Sequence, residues 1–145
     1  MEIKIKLDVS AKSFFDLLSL SILHDIQLSV GDSFKIDDII QNFTYKKKIL
    51  NKFARPVEAT VIINNFKSPS IYEATFSTTK GSNKISYIIE NEEEGIIVKY
   101  SEVYFGINSF ADLNHKFMSI FFKKANSKKI QNMLKMMEKY IIDNK

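Results

Sequence analysis

The sequence predicts an α+β fold: a curved antiparallel sheet of about six strands covered by a long closing helix, with one or two short helices after the first strand. Three observations carry this. Met1 to Val9 alternates apolar and polar residues. Phe43 to Phe105 is a series of alternating runs separated only by short turns. Ser109 to Asp143 is the longest stretch with helical spacing.

In the opening run Met1, Ile3, Ile5, Leu7 and Val9 point one way, and Glu2, Lys4, Lys6 and Asp8 the other, as in a strand with one buried face. Ser10 is placed to cap a helix. Phe14, Phe15, Leu17, Leu18, Ile22, Leu23 and Ile26 then follow helical spacing to about Ser29, and Gly31 ends the helix. A short helical turn is expected at Ile36 to Gln41, with Asp37 and Asp38 at its positive end.

From Phe43 the period becomes two. Phe43, Tyr45 and Lys47 alternate with Thr44, Lys46 and Lys48. Pro56 interrupts, and Val57, Ala59, Val61 and Ile63 resume. Asn64 to Ser70 is read as a turn. Tyr72, Ala74 and Phe76 share a face of the next strand, and Thr79 to Asn83 reads as a hairpin turn. Ile85, Tyr87 and Ile89 share a face of the strand after that, and Asn91 to Gly95 turns the chain. Ile96, Val98, Tyr100, Glu102 and Tyr104 share a face of the last strand. Strands joined this closely are antiparallel neighbours.

The closing stretch does not keep one apolar phase. Leu113, Phe117, Ile120 and Phe121 form one stripe; Ile130, Met133, Leu134, Met137 and Ile141 form another, about a third of a turn away. A straight helix of this length would reach roughly 50 Å, more than the roughly 30 Å of a strand of eight or nine residues. A bend is expected across Ala125-Asn126-Ser127. The first half would cover the sheet, and the second would pack at another angle or against a partner.

The element order, with the opening Lys6-Leu7-Asp8-Val9-Ser10-Ala11 and then Phe14-Phe15-Asp16-Leu17-Leu18, resembles the helix-grip fold of the START-like (SRPBCC, birch-pollen-allergen-like) superfamily. Within it, the opening looks like a bacterial family of uncharacterised domains. The resemblance spans essentially the whole chain. It implies a sheet wrapped on the closing helix, with room for an apolar ligand between them. It specifies architecture much better than chemistry.

Composition narrows the function. The 145 residues suit one domain, 1–145, with a core that needs no staples. With no cysteine, disulfides, thiolate zinc sites and cysteine nucleophiles are excluded. The start shows no signal-peptide pattern, and no apolar run reaches the roughly 20 residues of a membrane span; the cytoplasm is the expected compartment. Net charge is +4, but Arg55 is the only arginine. Reading guanine edges or clamping phosphate favours arginine, so the lysines are read as solubilising and nucleic acid is not the expected partner. Lys46-Lys47-Lys48 reads as a charged edge strand that resists sheet-to-sheet association.

No phosphate loop, nucleophile elbow or HExxH pattern occurs. His24 and His115 lie far apart in sequence, and the adjacent His24 and Asp25 cannot share a helix face; no metal or cofactor is expected. The candidate site is an aromatic sheet face opposite an aromatic helix: Tyr72, Phe76, Tyr87, Tyr100 and Tyr104 with Phe117 and Phe121, and Glu102 as the polar anchor. An apolar cavity with few polar groups is the usual form of a small-molecule site. The plainer alternative has Glu102 reaching solvent and the tyrosines as core. Two further classes stay open. The chain could be an interaction module, with leftover apolar residues around Phe117 to Phe122 meeting a second copy. It could be an enzyme, since the superfamily includes cyclases and hydrolases; only Glu102 with a tyrosine or histidine would then supply acid–base chemistry.

Overall fold

A computed structural model describes residues 1–50, 53–106 and 127–145. Six strands form one sheet: β1 (Glu2–Leu7), β2 (Thr44–Leu50), β3 (Pro56–Lys67), β4 (Ile71–Thr78), β5 (Gly81–Asn91) and β6 (Ile96–Gly106), in the order β1-β6-β5-β4-β3-β2 and antiparallel throughout. Helix α1 (Ala11–Val30) connects one edge of the sheet to the other. A 3₁₀ turn follows at Ile36–Asp38, shorter than the expected turn to Gln41.

Helix α1 begins where the sequence places its cap. The Ser10 hydroxyl accepts the Ser13 amide at 3.1 Å, a bond that stabilises a helix by about 1 kcal/mol. Gly31 stops it at φ +105, a conformation that disfavours a side chain. The row Phe14, Leu18, Ile22 and Ile26, at successive fourth positions, is buried, and Phe15 beside it meets Phe66 of β3 with ring centres 5.2 Å apart. Burying each such side chain contributes roughly 1.5–3 kcal/mol. Ile3, Leu7 and Val9 of the opening segment are buried and Glu2, Lys4 and Lys6 exposed, as the alternation requires.

Three details differ from the sequence reading. The turn expected at Asn64 to Ser70 is confined to 68–70, because β3 continues through Phe66 to Lys67. A register shift between Ile63 and Asn65 absorbs the extra residue Asn64, whose Oδ1 accepts the Thr75 hydroxyl at 2.7 Å. Phe66 is held by Phe15 and by an edge-on Tyr72, and that packing keeps the strand going. The hairpin turn between β4 and β5 is only Thr79–Lys80; Gly81 and Asn83 already belong to β5. Finally, β2 is an edge strand as expected, but its lysines divide: Lys46 and Lys48 face solvent while Lys47 turns inward.

The closing helix, α2, is described through 127–143. Of the two placements expected for its stripe, at another angle or against a partner, the described part packs on the core of its own chain, and the angle to the first half lies outside the described residues. Leu134 is 0% exposed, and Ile130, Met133, Met137 and Ile141 pack against the same cluster as Phe14, Tyr72 and Tyr87. Glu138 fixes its position further by accepting the Asp8 amide at 2.7 Å. The expected bend at Ala125-Asn126-Ser127 and the first stripe, with Phe117 and Phe121, fall on 107–126 or its boundary and lie outside the described residues. Among the described residues no helix is long and apolar enough to cross a membrane.

Candidate functional site

Direct cross-strand pairing puts the aromatic residues in rows on the inner face. One row runs Phe66, Tyr72, Tyr87, Tyr100 and Ile3; another runs Tyr45, Val61, Phe76, Asn83 and Tyr104. From α1, Leu18, Ser21, Ile22 and Asp25 approach this face at helical spacing, and Met133 and Met137 approach from α2. Together with Tyr45, Lys47, Tyr72, Phe76, Ile85 and Tyr87 they line a cavity of about 290 Å³, at the small end of ligand sites.

One end of the cavity is polar. Lys47 Nζ lies 2.9 Å from Asp25 Oδ1 and donates to Oδ2 at 3.0 Å, while the Tyr45 hydroxyl donates to the same Oδ2 at 2.8 Å. The ammonium also sits 5.7 Å from the centre of the Phe76 ring. Burial pushes the Tyr45 hydroxyl well above the usual tyrosine range, and its bond to the Asp25 carboxylate pushes it further.

The other end is a run of rings. Tyr72 and Tyr87 have centres 6.0 Å apart, and Tyr87 meets Tyr100 edge-on at 5.0 Å. Burial first, then the neighbouring Tyr87, raises the Tyr72 hydroxyl. Burial and the Glu102 charge push Tyr87 up to about 12, and the same two causes raise Tyr100. At neutral pH these tyrosines are therefore neutral hydroxyls. They are suited to donating hydrogen bonds and not to acting as bases.

Of the sequence-derived candidates, Tyr72, Phe76 and Tyr87 line the cavity. Tyr100 stands behind Tyr87. Glu102 shares their face but is not part of the lining: Asn83 Nδ2 donates to its Oε1 at 2.6 Å and the Tyr100 hydroxyl to its Oε2 at 3.1 Å. The Asn83 Oδ1 beside it is buried without a hydrogen-bond partner. The Tyr104 hydroxyl donates to the Lys80 carbonyl at 3.0 Å, at the β4–β5 turn and away from the cavity. Phe117, Phe121 and His115 lie outside the described residues; His24 is exposed on α1. Among the described residues no three His, Asp or Glu side chains gather as a metal site would require.

The sequence reading passed over Asp25, Lys47, Met133 and Met137. A signal existed for each. Asp25 is three residues past Ile22 and seven past Leu18, on the buried face. Lys47 alternates with Tyr45. A second, shallower groove of about 790 Å³ lies on the outer side, between α1 and α2, with Leu17, Met136 and Tyr140 among its walls. Ser21, Met133 and Met137 line both spaces and so divide them. The inner cavity is the candidate site because polar groups converge there on an aromatic surface.

Comparison with known proteins agrees with this architecture. The family model described as "Domain of unknown function (DUF3284)" matches residues 1–123. No curated protein sequence matches the chain. Among solved structures, an uncharacterised protein from Rhizobium leguminosarum is similar with a TM-score of 0.63 at 10% identity, covering 99% of this chain and 93% of that one. Ara h 8.0201 is similar with a TM-score of 0.62 at 12% identity, covering 99% and 97%. The di-domain ARO/CYC protein StfQ of the steffimycin biosynthetic pathway is similar with a TM-score of 0.57 at 5% identity, covering 97% of this chain and 48% of that one. At these identities the likeness shows the fold alone, a six-stranded antiparallel sheet with helices, consistent with the helix-grip arrangement.

Proposed function

We propose that this chain, which belongs to the family described as Domain of unknown function (DUF3284), binds one small amphipathic molecule between the inner sheet face and its two helices. The observation that carries this reading is the Asp25–Lys47 pair at the end of an otherwise aromatic and aliphatic cavity. The pair is held by the Tyr45 hydroxyl and the Phe76 ring, yet on an apolar surface it still gives up part of its hydration. A ligand with a polar end would replace it, and its apolar body would cover Tyr72, Phe76 and Tyr87. The likeness in fold to Ara h 8.0201 and to the ARO/CYC protein StfQ makes ligand binding between sheet and helix plausible.

Native mass spectrometry of the protein purified from its own host tests it. A retained mass, released on activation and lost in an Ile85→Trp variant that fills the cavity, is the expected result. Apo protein only, or a bound mass that persists in Ile85→Trp, removes the reading.

The outer groove favours a second reading, an interaction module. Met136 is 72% and Tyr140 57% exposed along it. A second copy of this chain is the partner that reading names. Sedimentation equilibrium showing only monomer at high concentration excludes it.

A further inference from the structure

The inner cavity is lined by two tyrosines whose hydroxyls bond nothing among the described residues. Tyr72 is 5% exposed and Tyr87 is 8% exposed. Neither hydroxyl has a hydrogen-bond partner among the described residues, although both residues line the cavity. Their neighbours are satisfied: Tyr45 is bonded to Asp25 and Tyr100 to Glu102. A tyrosine hydroxyl open to a cavity bonds water until a ligand acceptor displaces it, so two adjacent ones in the lining mark a place where an acceptor oxygen can bind.

Charge narrows the head group. The Lys47 ammonium already faces both oxygens of Asp25 at 2.9 and 3.0 Å, so the polar end carries no uncompensated positive charge. Behind Tyr87 and Tyr100 stands the Glu102 carboxylate, held by Asn83 and Tyr100 and with no cation bonded to it among the described residues. An anionic head would meet the Asp25 carboxylate in the lining, with the Glu102 charge behind it, and no free cation among the described residues. A neutral oxygen acceptor meets two free hydroxyls.

Size narrows the body. An apolar cavity of about 150 Å³ accepts one benzene ring. The cavity of about 290 Å³ accepts roughly twice that. Its walls are the rings of Tyr72, Phe76 and Tyr87 and the thioethers of Met133 and Met137, which favour a flat, polarizable body.

We infer that Tyr72 and Tyr87 form a donor subsite that selects compact, two-ring-sized ligands bearing a neutral acceptor oxygen, such as a ketone, over hydrocarbons of the same shape and over carboxylates. This rests on the proposed ligand-binding role and specifies the class of molecule bound there.

The test titrates the protein with three probes of one skeleton, 2-acetylnaphthalene, 2-ethylnaphthalene and 2-naphthoate, and follows binding by calorimetry. The same titrations are made on the Tyr72→Phe/Tyr87→Phe variant. The wild type is expected to bind the ketone about ten-fold more tightly than the hydrocarbon and to bind the carboxylate most weakly. In the variant the ketone and hydrocarbon should bind alike, and retained hydrocarbon binding shows that the variant still folds. If the wild type binds ketone and hydrocarbon equally, the donor subsite is wrong while the cavity reading stands. Tightest binding of the naphthoate, or a ketone preference that survives in the variant, also overturns the inference. If no probe binds, both the inference and the cavity reading fall.

Discussion

Lys47 of the edge strand β2 reaches across the inner face and pairs with both oxygens of Asp25 on α1, at 2.9 and 3.0 Å. It is the described ion pair joining α1 to the sheet, and its side chains are 27% and 28% exposed. At that depth the pair lies between a surface bridge, which contributes little, and a buried one, whose halves are costly to separate. Asp25→Asn or Lys47→Met is expected to destabilise the fold by about 1–2 kcal/mol. In a double-mutant cycle read by urea unfolding, the two changes together should cost less than their sum. Strict additivity would show that the pair is not coupled.

Glu102 should behave differently. Its partners are Asn83 and Tyr100 and it lies outside the cavity lining, so Glu102→Gln exchanges charge-assisted hydrogen bonds for neutral ones. A loss of about 1 kcal/mol in stability is expected, with ligand retention unchanged. Loss of ligand with stability intact would return Glu102 to the role of polar anchor that the sequence suggested for it.

The tyrosines set an alkaline limit. Tyr45, Tyr72, Tyr87 and Tyr100 all have raised values in the folded protein, Tyr87 to about 12. An unfolded tyrosine ionises near pH 10. Above that pH the unfolded chain has lost protons that the folded chain still holds, so stability falls as pH rises. Below about pH 10 their contribution is complete, and for Tyr87 the loss runs from there to about 12. Each such residue should lower stability by about 1.4 kcal/mol per pH unit within its window. Urea midpoints measured across that range, with tyrosinate absorbance followed in parallel, check this. Four of the six tyrosines should ionise only together with unfolding; a gradual titration of all six in folded protein contradicts it.

Gly95 closes the β5–β6 turn against the end of β1. Its φ is +82, and a Cβ there would collide with the Leu7 carbonyl oxygen. Gly95→Ala is expected to cost about 1–3 kcal/mol in thermal or urea unfolding. A neutral substitution would mean that β1 can move away from the turn.

Leu134 tests how α2 is seated. It is fully buried among the core residues, so Leu134→Ala should cost about 2–5 kcal/mol through lost burial and the cavity left behind. Met136→Ala, one turn face away and exposed, should change stability by under about 0.5 kcal/mol. Equal effects would mean that the stripe containing Leu134 does not face the sheet.

What the sequence disclosed follows from period and what it hid follows from distance. The alternation of Ile3, Leu7 and Val9, the cap at Ser10 and the inward set Tyr72, Ala74 and Phe76 are local patterns, and the structure has them. Alternation put Lys47 on the face of Phe43 and Tyr45, but did not disclose the partner that holds it there. Its inward turn is decided by Asp25, twenty-two residues away and on another element. Phe66 extends β3 for the same kind of reason, a ring from α1 and a ring from β4. In the closing helix the spacing of Ile130, Met133, Leu134, Met137 and Ile141 shows a stripe but not what it packs against. The cavity floor was therefore legible through Tyr72, Phe76 and Tyr87. Its polar end and its methionine wall were not.

The central claim is that a ligand occupies the inner cavity and not the outer groove, and the methionines report on this directly. Met133 and Met137 separate the two spaces, whereas Met136 borders only the groove. With methionine methyls labelled with carbon-13, titration of 2-acetylnaphthalene should shift the Met133 and Met137 signals in a saturable manner and leave Met136 in place. Shifts confined to Met136, or none at saturating probe, would contradict the claim.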